Sequence, residues 1–278
     1  MKLHEIHIRD PFILVWENRY YMYGTRGAEA WNSICTGLDV HVSTNLENWD
    51  GPHVVFTPPS GFWADRDFWA PEVHEYNGAF YMFVSFKSEH EHRGTQILVA
   101  DTPMGPFRVH SDGPVTPRDW ECLDGTLYID KNNKPYMVFC HEWTQIQDGE
   151  ICALPLSDDL SRACGEPFLL FKASDPVWSA GLDGNFITDG PFLYDSSDDG
   201  RLCMIWSSFC AGNYVQAVAY SESGDIRGPW KHLDKPIFDR DGGHGMLFKT
   251  LGGERKLILH SPNETPGERP KIIENVLL

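Results

Sequence analysis

The chain has 278 residues, 41% hydrophobic and 13% aromatic, which is enough apolar mass for a large core and too much for a disordered chain. A formal net charge of −17 argues against nucleic acid and anionic membrane as partners, because both require a basic surface. Seven cysteines, an odd number without Cys-x-x-Cys spacing, indicate neither a disulfide framework nor a zinc site, and no apolar run approaches the ~20 residues of a membrane span. Residues 1–7 lack the apolar stretch of a signal peptide, so a reduced, cytoplasmic protein is expected.

In chain order, five short apolar runs each cross a turn and meet a second, apolar run, in most cases rich in aromatics. Asp10-Pro11-Phe12-Ile13-Leu14 leads through Glu17-Asn18-Arg19 to residues 20–23. After an excursion over 25–37 come a third strand at 39–43 and a short last one at 54–56. Ala70-Pro71-Glu72-Val73 leads through Asn77-Gly78 to 80–83, and Asp124-Gly125-Thr126-Leu127-Tyr128 leads to 135–139. Asp189-Gly190-Pro191-Phe192-Leu193-Tyr194 leads to 202–206, and His244-Gly245-Met246-Leu247-Phe248 leads to 257–260. The starts fall at 10, 70, 124, 189 and 244. Strand-rich units repeating near ~50 residues predict an all-β, five-bladed β-propeller, read as one domain over 1–278 with no useful helix or linker.

The first strand of a propeller blade is innermost, so Asp10, Ala70, Asp124, Asp189 and His244 are expected to ring one mouth of the central channel. Loops joining second and third strands, 85–96, 141–150, 207–213 and 261–269, are expected to overhang it. Core packing does not favour three carboxylates around one mouth, since each costs on the order of several kcal/mol unless paired. Taken singly, Asp124-Gly125 and Asp189-Gly190 also suit Asx-turns at strand starts. The ring arrangement points to chemistry.

Arg9-Asp10-Pro11-Phe12, Phe68-Trp69-Ala70-Pro71-Glu72-Val73, Leu123-Asp124-Gly125-Thr126-Leu127 and Thr188-Asp189-Gly190-Pro191-Phe192 resemble the successive motifs of glycoside hydrolase family 43. The resemblance follows the family's order and covers nearly the whole chain. It implies inverting enzymes on a five-bladed propeller, mostly α-L-arabinofuranosidases, β-xylosidases and endo-arabinanases, with an oligosaccharide as substrate. By position it implies Asp10 as the base that activates water, Asp124 as the carboxylate that adjusts the acid's pKa, and Asp189 as the general acid. Inversion needs acid and base across the sugar, with room of about 6.5–9.5 Å for the water. The acid must stay protonated near neutral pH, which a neighbouring carboxylate favours, while Asp10 is expected to be ionised. The family's acid is usually a Glu in Glu-Gly-Pro, and Asp189 is one methylene shorter. Glu142, in His141-Glu142-Trp143 at the end of a second strand, is the alternative acid.

The resemblance also implies a channel-centre histidine, here His244, that often binds calcium or sodium partly through water; the chemistry itself requires no cofactor. On the residues alone a hydrogen-bonded structural histidine serves equally, because hard cations take six or more oxygens. Sugar contacts are expected from Trp69, with Phe68, Trp143, Phe209 and Trp31 around it, while Trp16, Tyr23 and Tyr81 read as core. Arg269, in Pro266-Gly267-Glu268-Arg269-Pro270, is a candidate for a hydroxyl or a carboxylate. Glu89-His90-Glu91-His92 reads as a solvated loop rather than a zinc tract. The expected activity is exo-acting release of terminal α-L-arabinofuranosyl or β-D-xylosyl groups. Its rivals are a β-galactoside hydrolase, a carbohydrate-binding propeller without turnover, and a phosphorylase, which needs a cationic cluster that the mouth segments lack. No oligomeric state follows from the sequence.

Overall fold

The computed structural model describes residues 1–31, 33–196 and 199–274. Five antiparallel sheets form in chain order. The first holds β1 (Ile8–Trp16), β2 (Arg19–Arg26), β3 (Leu38–Ser43) and β4 (Trp49–Phe56), and the second holds β5 (Arg66–Tyr76), β6 (Ala79–Lys87), β7 (Gly94–Ala100) and β8 (Arg108–Val109). The third holds β9 (Cys122–Ile129), β10 (Pro135–His141), β11 (Glu150–Pro155) and β12 (Phe168–Lys172), with one helical turn, α1 (Trp143–Ile146), after β10. The fourth holds β13 (Asp189–Asp195), β14 (Leu202–Cys210), β15 (Asn213–Ser221) and β16 (Trp230–His232). The fifth holds β17 (Gly243–Lys249), β18 (Arg255–Ser261) and β19 (Arg269–Ile273), three strands among the described residues. The sheets are the five blades of a β-propeller. No helix among the described residues is long and apolar enough to cross a membrane.

Burial follows from blades packing face to face. A middle strand has a neighbouring blade on each side, so β7 is buried at every position rather than alternating, whereas both residues of the outer β8 are exposed. Trp206 of β14 is fully buried against Phe171 of β12 and Trp178, joining blades three and four. Each such aromatic adds about 1.5–3 kcal/mol of burial. Among the described residues blade five shares no strand with blade one. That seam is fastened by side chains: Arg9 Nη2 donates to Asn263 Oδ1 at 2.6 Å, and the Leu251 amide donates to the Tyr20 hydroxyl at 2.7 Å.

Every inner strand breaks its register near the channel mouth, and a residue with positive φ marks the break: Asp10 (52°), Ala70 (47°), Asp124 (59°), Gly190 (50°) and His244 (48°). A bulge turns its amide out of the ladder. Each of these amides is taken by a side chain of the preceding blade. Asp10 N–H donates to His260 Nδ1 (3.2 Å), Ala70 N–H to Thr25 Oγ1 (2.8 Å), Asp124 N–H to Ser85 Oγ (2.9 Å) and His244 N–H to Ser207 Oγ (2.7 Å). The acceptors stand at one equivalent position of the second strands, opposite Gly243, Arg9, Trp69 and Asp189. In blade three that position is Cys140, and the Gly190 N–H goes instead to Asp124 Oδ2 at 3.0 Å.

The series corrects one expectation. The residue in register with Asp10, Asp124 and His244 is Gly190; Asp189 stands one place earlier, with Arg9, Trp69, Leu123 and Gly243. A Cβ on residue 190 would lie 2.6 Å from the His244 ring, so this bulge admits only glycine, and the carboxylate reaches the mouth from the adjacent position.

Candidate active site

The bulges bring Asp10, Asp124 and His244 together at the channel mouth. His244 Nδ1 lies 3.3 Å from Asp10 Oδ1 and 3.7 Å from Asp124 Oδ2. Thr25 uses its oxygen lone pair for the Ala70 amide and its single proton for Asp10 Oδ2, at 2.6 Å. His260 accepts the Asp10 amide at Nδ1, and its Nε2 faces Asn263 Oδ1 at 3.1 Å, the pattern of a neutral Nε2–H tautomer. Burial pushes His260 down to about 3, in agreement with that tautomer. Burial alone would raise the Asp10 carboxyl, but His244, His260, Arg9 and the Thr25 hydroxyl together hold it below its ordinary value. With His260 neutral, His244, Arg9 and Thr25 are the groups that hold the carboxyl down.

Asp124 behaves oppositely. Burial and then the Asp10 charge push it well up, against the Gly190 amide that hydrogen-bonds its Oδ2. Asp189 is raised to about 7 by burial and by Asp124, with His244 and the Tyr214 hydroxyl opposing; that hydroxyl donates to Asp189 Oδ2 at 3.0 Å. The three carboxyls therefore titrate as one cluster, with the negative charge on Asp10 and a proton retained by the Asp124–Asp189 pair up to neutrality. For a protein that uses Asp10 as base and Asp189 as acid, kcat/KM is expected to fall as pH rises through about 7, where Asp189 loses its proton. The acidic limb is expected below the usual carboxylate range, where Asp10 gains one. A pH–rate profile checks both limbs, and a plateau extending well above 8 would remove Asp189 from the acid role.

A cavity of about 300 Å³ opens over the cluster and includes Asp10, Asp124, Asp189, Glu142 and His244 in its lining. Its apolar wall is Trp31, Trp69, Trp143, Phe209, Leu182 and Ile187. Trp69 is fixed by donating Nε1–H to the Ala30 carbonyl at 2.8 Å, with Trp31 edge-on at 5.2 Å. Half-exposed Trp31 donates to Thr265 Oγ1 at 2.9 Å. Such a mix of aromatic faces and convergent polar groups suits a carbohydrate.

Three sequence candidates stand elsewhere or are otherwise engaged. Phe68 is turned into the core, with its ring 4.6 Å from Phe86, because it and the cavity-facing Trp69 are adjacent on one strand and point to opposite faces. Arg269 lies on β19, away from the cavity, and spends its guanidinium on the carbonyls of Pro266 (2.9 Å) and Glu268 (2.6 Å). Glu142 does line the cavity, but its Oε2 is committed to Arg93. In the Glu89–His92 run, His92 Nδ1 meets Glu121 Oε1 at 2.9 Å. Among the described residues no group of three or more His, Cys, Asp or Glu could hold a metal ion. At His244 the oxygens in reach are the two carboxylates facing Nδ1, far short of the six to eight a calcium takes, so these residues do not form a cation cage of their own.

Several contributors gave little sign in the sequence. Thr25 and His260 sit at second-strand positions whose interblade role appears only once the blades are stacked, and Tyr214 belongs to a third strand. Leu182, Asp183, Asn185 and Ile187, in the crossover into blade four, line the cavity, a segment outside the expected overhanging loops.

Comparison with known proteins adds to this geometry. A sequence model described as Glycosyl hydrolases family 43 matches residues 4–276. The chain is similar to the crystal structure of an endo-arabinase from Bacteroides thetaiotaomicron VPI-5482, with 41% identity, a TM-score of 0.89, and 98% of this chain and 95% of that one covered. An endo-1,4-beta-xylanase from the same strain is 27% identical, with a TM-score of 0.77 over 96% of this chain and 90% of that one. An extracellular endo-alpha-(1->5)-L-arabinanase 1 of Bacillus subtilis (strain 168) is 23% identical over 293 residues, 97% of this chain and 84% of the relative.

Proposed function

The chain belongs to glycosyl hydrolase family 43, and from that premise we propose that it cleaves α-L-arabinofuranosyl linkages of arabinan-type chains with inversion. Supporting the mechanism is the placement of the three carboxyls in one buried cluster, with Thr25 donating to Asp10 Oδ2 at 2.6 Å and burial with the Asp124 charge raising Asp189 to about 7. Asp10 takes a proton from a water as its oxygen attacks the anomeric carbon. Asp189 gives its proton to the departing glycosidic oxygen, and the product hydroxyl emerges on the opposite face. Asp124, beside both, keeps the proton on Asp189 by disfavouring a second charge. Its Oδ2, held by the Gly190 amide, also fixes the backbone next to the acid. No step is routed through an ion. A calcium or sodium near His244 would be held mostly by water.

In place of the exo action expected from the sequence, we propose cleavage along the chain. The likeness to two endo-acting arabinanases supports this reading, as does the aromatic wall running from Trp31 to Phe209. The test is turnover of linear α-1,5-arabinan beside aryl α-L-arabinofuranoside, β-D-xyloside and β-D-galactoside, with products followed over time. A spread of arabino-oligosaccharides, with the new anomeric centre inverted by NMR, is expected. Arabinose alone from the first time point would restore exo action. Silence on every substrate, with sugar still raising the melting temperature, would make the protein a carbohydrate-binding propeller, the reading that the shorter Asp189 favours.

A further inference from the structure

A second polar assembly stands at the mouth beside the carboxylate cluster. Arg93, just ahead of β7, is buried and forks between two carboxylates: Nη1 pairs with Glu142, and Nη2 with Asp67 at 2.8 Å. Its flat face lies 4.2 Å over the Trp69 ring. One guanidinium thus sets the indole and the carboxylate of two cavity-lining residues and ties blade two to blade three. The backbone is shaped for this. β5 alone among the inner strands has two register breaks, and the first leaves Asp67 at φ 54°, a conformation costly for a non-glycine residue and kept by its ion pair. Glu142 is equally fixed, since its amide donates to the Glu121 carbonyl at 2.8 Å and α1 starts directly after it.

We infer that Glu142 is a specificity-determining residue that accepts hydrogen bonds from sugar hydroxyls, with Arg93 as its positioning residue. This rests on the glycosidase reading above and gives Glu142 a part other than proton donor. Only Oε2 is committed to Arg93; among the described residues Oε1 has no hydrogen-bond partner, and Glu142 faces the same cavity as Asp10 and Asp189. Two buried carboxylates share one cation, so the assembly carries a net negative charge and spare acceptor capacity at an apolar wall. A ligand that relieves it must bring donors, and sugar hydroxyls do. A carboxylate whose Oε2 already takes a guanidinium is placed as a hydrogen-bond acceptor rather than as a proton donor. The fork geometry also explains Arg rather than Lys at 93, because an ammonium cannot serve both carboxylates while lying flat on Trp69.

The test uses binding, so it stands apart from turnover. Calorimetry of arabinotriose on the Asp10→Asn protein is compared with the same protein carrying Glu142→Gln, which keeps volume and removes the charge. Affinity is expected to fall about 10- to 100-fold, the range for a hydrogen bond to a charged group. In the otherwise native enzyme, Glu142→Gln is expected to raise KM far more than it lowers kcat. The alkaline limb should stay in place, and dinitrophenyl glycosides should bring no recovery. Arg93→Lys is expected to lose part of the same affinity. Deoxygenated arabinosides on the Asp10→Asn protein alone supply a measurement that needs no second variant: at least one hydroxyl should carry a comparable loss. Unchanged affinity in Glu142→Gln, an affinity indifferent to every hydroxyl, or a collapse of kcat that recovers on dinitrophenyl substrates would each overturn the assignment.

Discussion

Replacing Asp10 by Asn is expected to lower kcat by about 10²–10⁴-fold, the share of a positioned general base, while leaving the fold intact. The asparagine keeps the shape and can still accept the Thr25 hydroxyl that now meets Asp10 Oδ2 at 2.6 Å, but it cannot take a proton from water. Groups that stabilise the Asp10 charge, His244 and Arg9, remain in place around a neutral side chain. The loss should therefore be equal on good and poor leaving groups, because water activation is needed for both. Steady-state rates on an aryl arabinofuranoside and on arabinan, with a melting curve for each protein, make the measurement. Turnover at the native rate would remove Asp10 from the mechanism.

The second large effect is expected from Asp189→Asn, and its signature is the leaving group. With alkyl or sugar leaving groups kcat should fall by a similar about 10²–10⁴-fold, because the departing oxygen must be protonated. With a dinitrophenolate, which leaves unprotonated, most of the rate should return. The alkaline limb near 7 should vanish as well, since the group responsible for it is gone. Tyr214 would keep its place by stacking on His260, so a folding defect is not expected. Uniform loss across all leaving groups would make Asp189 a structural residue and reopen the choice of acid.

Much of the fold could be read from the sequence because it is written in short-range chemistry. Apolar strands closed by Glu17-Asn18, Asn77-Gly78 and similar turns mark the strand pairs, and their repeat marks the blades. The inner strands begin within a few residues of the expected starts, as β1 at Ile8, β9 at Cys122 and β17 at Gly243 show. Parity within a strand was harder to read. Trp69 shares the position of Arg9, Leu123 and Asp189 just before the common bulge, so the indole and not Phe68 meets the cavity, and the spacing of apolar residues carries no mark of that bulge. The one-residue offset of Asp189 has the same origin: the contact that forces glycine at 190 is with a ring more than fifty residues away. The loop position of Arg269 suggests a reach inward, whereas β19 begins at that residue and its guanidinium turns to the carbonyls of Pro266 and Glu268. Arg93 carries no mark in the sequence beside a run of Glu and His, since its partners Asp67 and Glu142 lie in two different blades.

The joint between blades three and four bears on how such an enzyme can change over evolutionary time. At the other joints a Thr, Ser or His that exchanges no proton in the proposed reaction holds the neighbouring amide. Here the bond falls to Asp124, a member of the reacting cluster. Mechanical cohesion and reactivity thus draw on the same oxygen atom, and selection cannot adjust one without touching the other. A lineage adapting to heat would find most room at the joints held by Ser85 and Ser207 and almost none at this one. Loss of Asp124 in a descendant would remove a member of the proposed reacting cluster and a fastener in one step, so a pseudoenzyme derived from this chain is more readily reached through Asp10 or Asp189.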